Sequence, residues 1–534
     1  MPNINTLLDE HVSLSYDCID RMYLNGYMPK LQTPASLVTF YHDHRGKAVV
    51  SPALFRLDSQ AFVTSIESFA ESNHIPVVHF EKGQCKEDIA RRYFERFRGL
   101  EGVVMIGIAQ ERTWAFKGGS PQRGPNDSVH FHISRQSVFV NQYYFYLFDQ
   151  DFGPSFIKFN SYVPFSIKVW LNGHQWVKRQ LTRQKIAFRA LDNGLLSVAD
   201  PSRLQALCDS LRAEHVDAYF RKWLAKLPHP FTAKDRDAGY RYALSFVQLE
   251  VSSTQVFKHP SYGRQFFEEV VRENLNLGRP EEVQLVFGRR VQTNTPGRFR
   301  SRIITPGVDP SLYIYYKNSK LKQYFKEGKA LRTELTFNDT RDFGVRKALK
   351  NFDYLRDIGK NVNRRLLGVQ RLSHACAVPQ NTFHQMVLPS EHDGQRAPAL
   401  RYGDPRVMAL LSALCAFIHL VDGFSNQTLR RQMAKLLDAD PKDYSPGRMT
   451  YDLRRLRLKG LIRKIPNTNR YMVTPKGRLI ALFFSKTYTR ILQPGLAQLE
   501  APPPITAPAS LRLAWNQFDK VLNDLIDHAQ LKRN

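Results

Sequence analysis

The stretch from Asp404 to Thr489 constrains this chain most, because its helix and turn signals arrive in a fixed order. Asp404-Pro405 offers an N-cap acceptor followed by proline at the first helical position, and Val407, Leu410, Leu411, Leu414 and Ile418 then repeat at helical spacing. After Gly423, Ser425 caps a second predicted helix to about Leu437, and Pro446-Gly447 introduces a third, MTYDLRRLRLKGLI, that stops at Gly460. Met449, Leu453 and Leu456 share one face of this third helix. Arg448, Tyr451, Asp452, Arg455 and Lys459 are expected on the opposite, outward face. LIRKI and RYMVT then read as two short strands joined by the turn-forming Pro466-Asn467-Thr468-Asn469, and Pro475 opens another helix. Three helices followed by strand, tip and strand make a winged helix-turn-helix, a module whose third helix enters a DNA groove.

Charge extends the inference. Arg401 to Gln493 holds 18 Lys plus Arg against 6 Asp plus Glu, a net of +12, within a chain of 534 residues whose formal charge is +28 and sequence pI about 9.9. Such an excess goes beyond what solubility needs, and a polyanion is the simplest partner: DNA first, RNA second. A membrane partner is not expected, because neither terminus offers a basic amphipathic helix or lipidation signal and the longest apolar run, 407–421, is short of a bilayer span. The start, MPNINTLLDEHVS, lacks a basic and apolar leader pattern, so a cytoplasmic location is expected. Cysteines at 18, 85, 208, 376 and 415 show no paired spacing for disulfides or structural zinc.

The expected fold class is a multidomain α+β protein with a mixed α/β N-terminal region, a β-rich centre and the C-terminal winged helix-turn-helix. From about 35 to 110, LVTFY, SQAFVTSIESFAESN, IPVVHF, KEDIARRYFERFR and GVVMIGIAQ alternate strand and helix, which predicts parallel strands over 1–115. No phosphate-cradling G-x-G-x-x-G or P-loop accompanies them, which argues against a nucleotide-binding domain. Residues 116–200 are strand-dominated, with a hairpin turn at Gln150 to Pro154. The region 201–400 mixes both types, with YIYYKNSK and ALRTELTF as paired strands on either side of Lys320 to Lys329. The winged module occupies 401–495, a Pro-rich linker 496–509, and an amphipathic helix 510–534, whose Leu511, Trp515, Phe518, Leu522 and Leu525 form a stripe for docking or, from Leu511 to Leu531, self-association.

Chemistry-bearing residues fall into four sets. His130-Phe131-His132 on a strand aims two imidazoles to one side, where they could hold a metal against a phosphate; the alternative is two solvated histidines. Glu111, Asp149, Asp151, Glu250 and Glu334 lie in or beside strands, and a nuclease needs such carboxylates to converge on Mg2+ or Mn2+. For Asp149 and Asp151 a turn-capping role competes, and Arg332 or Lys317 with Glu334 reads as a structural ion pair. Arg289, Arg290, Arg298, Arg300 and Arg302 form an acid-free basic loop that would track phosphates, while Trp170 and Trp176 bracket a turn suited to stacking on bases. For duplex DNA the expected contacts are Arg448, Tyr451, Arg454, Arg455 and Lys459 on the third helix, with Asn467, Asn469 and Arg470 on the wing.

Two resemblances accompany these residues. YLFDQDFGPSFIKFNSYVPF, WLNGHQWVKRQ, ALRTELTFND, YGDPRVMALLSAL and MTYDLRRLRLKGLIRK resemble strings in a large group of uncharacterised bacterial and archaeal proteins, over roughly residues 15–490. That resemblance implies relatives of mobile-element distribution rather than a defined activity. The Tyr315-Tyr316-Lys317 and Leu331-Arg332-Thr333-Glu334 segments are similar to a strand pair of some phage and plasmid replication proteins, and His130-Phe131-His132 to the signature of rolling-circle initiators and relaxases, whose tyrosine joins covalently to DNA. Three functions therefore stand beside one another: a metal-dependent nuclease or nicking enzyme, a rolling-circle-type initiator, and a non-enzymatic regulator or origin binder. Binding of RNA is a fourth.

Overall fold

Alternating strand residues through the first two thirds of the chain build a single large sheet. In this computed structural model the described residues are 4–123, 129–273, 287, 297–304, 311–374, 380–392, 394–415, 424–437, 444–465, 468–488 and 508–510, with scattered positions to 524. They divide into two units, Met1–Gln370 and Arg371–Asn534.

The strands of the first unit are β1 (Val12–Tyr27), β2 (Val77–His79), β3 (Gly102–Arg123), β4 (Val129–Asp149), β5 (Gly153–Asn160), β6 (Ile167–Asn172), β7 (Phe188–Leu191), β8 (Gly194–Val198), β9 (Ala243–Phe257), β10 (Arg298–Ile304), β11 (Ser311–Lys317), β12 (Ser319–Lys326) and β13 (Ala330–Phe337). Among the described residues eleven of them form one sheet in the order β10-β11-β12-β13-β9-β1-β6-β5-β4-β3-β2, and β7 pairs with β8 in a separate hairpin. The expected parallel pairing is present between β2 and β3; the remaining pairings of the sheet are antiparallel. LVTFY is not a strand. Thr33 and Ser36 form a reciprocal capping box and Pro34 occupies the first turn, so this segment enters the helix Pro34–Thr39. Likewise Lys320 to Lys329 is mostly strand, because β12 alternates buried and half-buried residues along its whole length.

Helices cover most of one face of this sheet, and the helix Lys86–Arg96 packs on the other face over β3 and β4. Phe62 of the helix Pro52–Ser72 meets Phe159 of β5 at 5.5 Å between ring centroids, and Gly359 of Phe352–His374 sits so close to Val251 of β9 that a Cβ there would lie 2.6 Å away. The other face stays partly open across β1, β6, β9, β12 and β11. There Tyr23, Trp170 and Phe156 stand side by side in register and half-buried, as do Lys320 with Tyr315 and Lys322 with Tyr313. An open polar and aromatic sheet face beside a covered apolar one gives the clean alternation seen in β11 and β12.

The second unit has the order expected of a winged helix-turn-helix. Its helices are Pro405–Cys415, Asn426–Leu436, Pro446–Leu458 and Pro475–Thr487, and its three-stranded sheet runs β16 (Phe424–Ser425), β18 (Arg470–Val473), β17 (Ile462–Lys464) after a small hairpin of β14 (Ser390–His392) and β15 (Gln395–Ala397). The caps explain the boundaries. Asp404 Oδ1 accepts from the amides of Arg406 (2.9 Å) and Val407 (3.2 Å), Ser425 and Ser445 cap the next two helices, and Gly460 ends the third in the left-handed region at φ 70°. Met449, Leu453 and Leu456 join the core as their spacing requires. No helix among the described residues is long and apolar enough to cross a membrane. Ile418, Leu511, Trp515, Phe518, Leu522, Leu525 and Leu531 lie outside the described residues, as do Arg289, Arg290 and Asn467.

Candidate metal centre and nucleic-acid surfaces

The central strands of the sheet carry charges where apolar residues would be usual. β13 is buried throughout, yet its sequence ALRTELTF places Arg332, Glu334 and Thr336 on the side away from Leu331 and Leu335. Register sets Glu334 opposite Ser252 and Thr336 opposite Glu250 on β9. Strand β1 supplies the third carboxylate, and a bulge there adds an arginine. Ile19 pairs with Val251 and Met22 with Leu249, so two residues, Asp20 and Arg21, face the one Glu250, and both side chains turn toward it. One ligand oxygen from each of Asp20, Glu250 and Glu334 lies within 4.8 Å of the other two, all three residues buried. A buried Asp/Glu group of this kind could coordinate a divalent cation.

The partners of the three carboxylates differ, and so do their charges. Arg332, fully buried, donates to Asp20 Oδ2 at 2.5 Å and to the Asn193 carbonyl at 2.5 Å, while its Nε lies 2.8 Å from Glu334 Oε1 but is not aligned to donate. Asn193, on the β7–β8 turn, donates to Asp20 Oδ1. Burial pushes Asp20 up, but the Arg332 guanidinium, helped by His174, outweighs it and holds this carboxyl well below the usual range. Glu334 goes the other way. Burial and then the neighbouring charge of Asp20 push it up to about 7, against the weaker pull of Arg332. Glu250 accepts from Arg21 Nε at 2.6 Å and from Thr336 Oγ1 at 2.7 Å. His174, at the start of the helix Gly173–Arg183, is fully buried 3.7 Å from Asp20; burial and Arg332 lower it to about 4, so it is neutral at pH 7. With Glu334 ionised, three carboxylates against two guanidiniums leave an unbalanced negative charge, which either a proton on Glu334 or a bound cation offsets.

The phenol of Tyr324, half-buried, donates to Glu334 Oε1 at 2.8 Å, and burial followed by the Glu334 charge raises its pKa. Beyond it the open face carries Lys322, whose ammonium lies 3.9 Å from the Tyr324 ring centroid, then Tyr313.

Of the five carboxylates flagged in sequence, Glu250 and Glu334 meet here. Glu111, on β3, is held by Lys158 at 2.8 Å and by Lys86 and Tyr144, several strands away from these two. Asp149 is fully buried and caps the turn to β5: its Oδ1 accepts from the amides of Asp151 and Phe152, both at 2.8 Å, and its Oδ2 from Trp223 Nε1 at 2.8 Å. Asp151 pairs with Arg183 near the surface. The structure thus separates both from Glu250. His130 and His132 are exposed, near the end of the long β3–β4 ribbon, and join no described cluster of metal-ligating residues. Arg298, Arg300 and Arg302 are in strand β10, not a loop, opposite Lys317, Tyr315 and Tyr313 of β11. Trp176 is buried and Trp170 stacks on Phe156 at 6.0 Å, so the pair does not bracket one binding turn. Asp20, Arg21 and His174 carry no sequence flag; the one hint was charge inside the apolar-flanked CIDRM.

In the winged unit the outward face of the third helix differs from its expected composition. Arg448, Tyr451 and Arg454 are exposed, and so is Arg457, which the sequence reading left out. Asp452, Arg455 and Lys459 are buried. Arg406 pairs with Asp452 at 2.8 Å, Arg455 donates to the Ala399 carbonyl, and Lys459 donates to the carbonyls of Gln385 (2.7 Å) and Leu388 (2.9 Å). The physical reason is that β15 and the chain around residues 385–399 pack on this side of the helix, which burial alone would make costly for a cation without those acceptors. Burial accordingly lowers both groups, Lys459 to about 8. On the wing, Arg463, Lys464, Asn469 and Arg470 are exposed.

No known family profile and no curated protein sequence matches this chain. A solved structure that does match is a rolling circle replication initiator protein from Geobacillus stearothermophilus, 8% identical, with 71% of this chain and 89% of that chain covered at a TM-score of 0.18. At that overlap the likeness carries no argument. The winged-helix fold and the buried acidic group, taken from the chain itself, support nucleic-acid binding and leave room for catalysis.

Proposed function

We propose that this protein cleaves a phosphodiester backbone with Mg2+ or Mn2+ held by Asp20, Glu250 and Glu334, and grips duplex DNA through its winged helix. The observation that supports this reading best is the convergence of three buried carboxylates from three strands beside an open basic and aromatic sheet face. A divalent cation bound there would polarise the phosphoryl oxygen and lower the pKa of a bound water. The protein's own groups do the rest: Arg332 keeps Asp20 ionised, Arg21 and Thr336 orient Glu250, and Lys320 and Lys322 offer charge to the strand. On the winged unit Arg448, Tyr451, Arg454 and Arg457, with Arg463, Lys464, Asn469 and Arg470 of the wing, form the duplex-facing set.

One contact favours a covalent variant. Tyr324 is positioned to pass its proton to Glu334 and bond through its phenolic oxygen to phosphorus, while the 3′-oxygen departs and takes a proton from water. Incubating the protein with labelled single-stranded DNA, duplex DNA and single-stranded RNA, with Mn2+ and with EDTA, tests both. The proposal expects metal-dependent cutting that Asp20→Asn removes. A protein–DNA adduct that disappears in Tyr324→Phe selects the covalent route, and cutting without one selects water. Tight duplex binding with every substrate left intact rejects cleavage in favour of a DNA-binding regulator.

A further inference from the structure

The β3–β4 ribbon has an exposed aromatic face that the proposed cleavage site does not use. Register places Arg112 opposite Phe139, Trp114 opposite Ser137 and Phe116 opposite Arg135, so these side chains share one face, on which Phe116 is buried in the core and Arg112, Trp114, Arg135 and Phe139 are exposed. Trp114 is 62% and Phe139 58% exposed, far beyond what a folded interior would leave of such side chains. Arg112 lies over Phe139 at 4.7 Å from the ring centroid. Between Arg112 and Gln142 the chain holds four Lys or Arg and one acid, Asp127. Flat aromatic and guanidinium surfaces in a cationic, solvated setting are the composition that unpaired bases stack on.

Trp114 and Arg135 also line a cleft of about 210 Å³ whose opposite wall is the open face of β1 and β6, with Asn25 and Lys168. Lys168 donates to Asn25 Oδ1 at 2.9 Å, and burial, then the charge of Lys158, lowers it to about 8. From this cleft the open face leads along β1 and β6 past Tyr23 and Trp170 to Arg21 and Asp20. Five residues of extended chain separate Asn25 from Asp20, about 17 Å.

We infer that the ribbon and this cleft bind single-stranded DNA, stacking its bases on Trp114 and Phe139 and its phosphates against Arg135 and Lys168, and lead the strand toward the carboxylate centre. The direction of travel rests on the cleavage reading above; the binding does not. The test is fluorescence anisotropy of a labelled oligothymidylate, its RNA counterpart and a duplex, titrated with full-length protein in EDTA so that no metal-dependent cutting occurs. Trp114→Ala should weaken single-stranded DNA binding by about 5- to 150-fold, Arg135→Glu should weaken it comparably, and Trp114→Phe should restore most of it. Duplex binding should not change. Wild-type affinity in Trp114→Ala, or equal loss for single strands and duplex, overturns the inference, and RNA bound as tightly as DNA overturns the choice of DNA. A chain that binds single strands through Trp114 but never cuts sinks only the cleavage reading.

Discussion

The two units treat charge in opposite ways. In the winged unit the exposed cations Arg448, Arg454 and Arg457 ride on a local scaffold of helix, cap and turn, and their neighbours Arg455 and Lys459 are spent on holding that scaffold together. In the sheet unit Asp20, Glu250, Arg332 and Glu334 come from three strands far apart in the chain and bury their charges against one another. The lesson is that a binding surface can be assembled locally, whereas a site that must concentrate charge out of water is assembled from distant strands and needs a full set of partners.

The largest expected effect separates these roles outright. Glu250→Gln or Asp20→Asn should lower cutting by about 10³-fold or more, since the ligated cation supplies several kcal/mol at the transition state, while duplex gel shifts stay at wild-type affinity. Equal loss of cutting and duplex binding would merge the two regions into one function. Next, Arg332→Met should cost about 3–5 kcal/mol in urea unfolding, because it leaves Asp20 buried and uncompensated. A loss below about 1 kcal/mol would mean the carboxylates do not need this guanidinium.

Smaller effects divide the third helix. Arg454→Ala should cost about 1–3 kcal/mol of duplex binding if it reads a base, or flatten the salt slope by about one unit if it meets phosphate, with unfolding unchanged. Arg455→Ala should instead lower the unfolding midpoint, since its guanidinium serves Ala399 and Asp452. The reverse pattern would restore Arg455 to the groove.

A further effect is a matter of pH. The folded state holds the Glu334 proton up to about 7, against an ordinary value of 4.5, so its contribution to stability is complete below pH 4.5 and is lost as pH rises through about 7. Thermal melts of metal-free protein should lose part of that decline in Glu334→Gln. Parallel pH profiles for the two proteins would show that Glu334 is not the titrating group.

The same contrast explains what could be read from the chain alone. Winged-helix order was legible because Asp404, Ser425, Pro446 and Gly460 act within a few residues of where they stand. The identity of the outward face was not, since it depends on residues 385–399 packing back onto the helix. Glu250 and Glu334 were visible as strand carboxylates, but their convergence required pairing across β9 and β13. Asp20 escaped notice because an acid in the apolar-flanked CIDRM acquires its meaning only when β1 pairs with β9, and its partner Arg332 lies 312 residues away. Asp149 and Asp151 had the same local look and went to a turn and a surface pair.

Calorimetric titration of the metal-free protein with Mn2+ tests the central claim most directly. The account predicts a saturable site in the wild type that Asp20→Asn and Glu334→Gln each abolish while the winged-unit variant Arg454→Ala keeps it. Identical isotherms for all four proteins would contradict it.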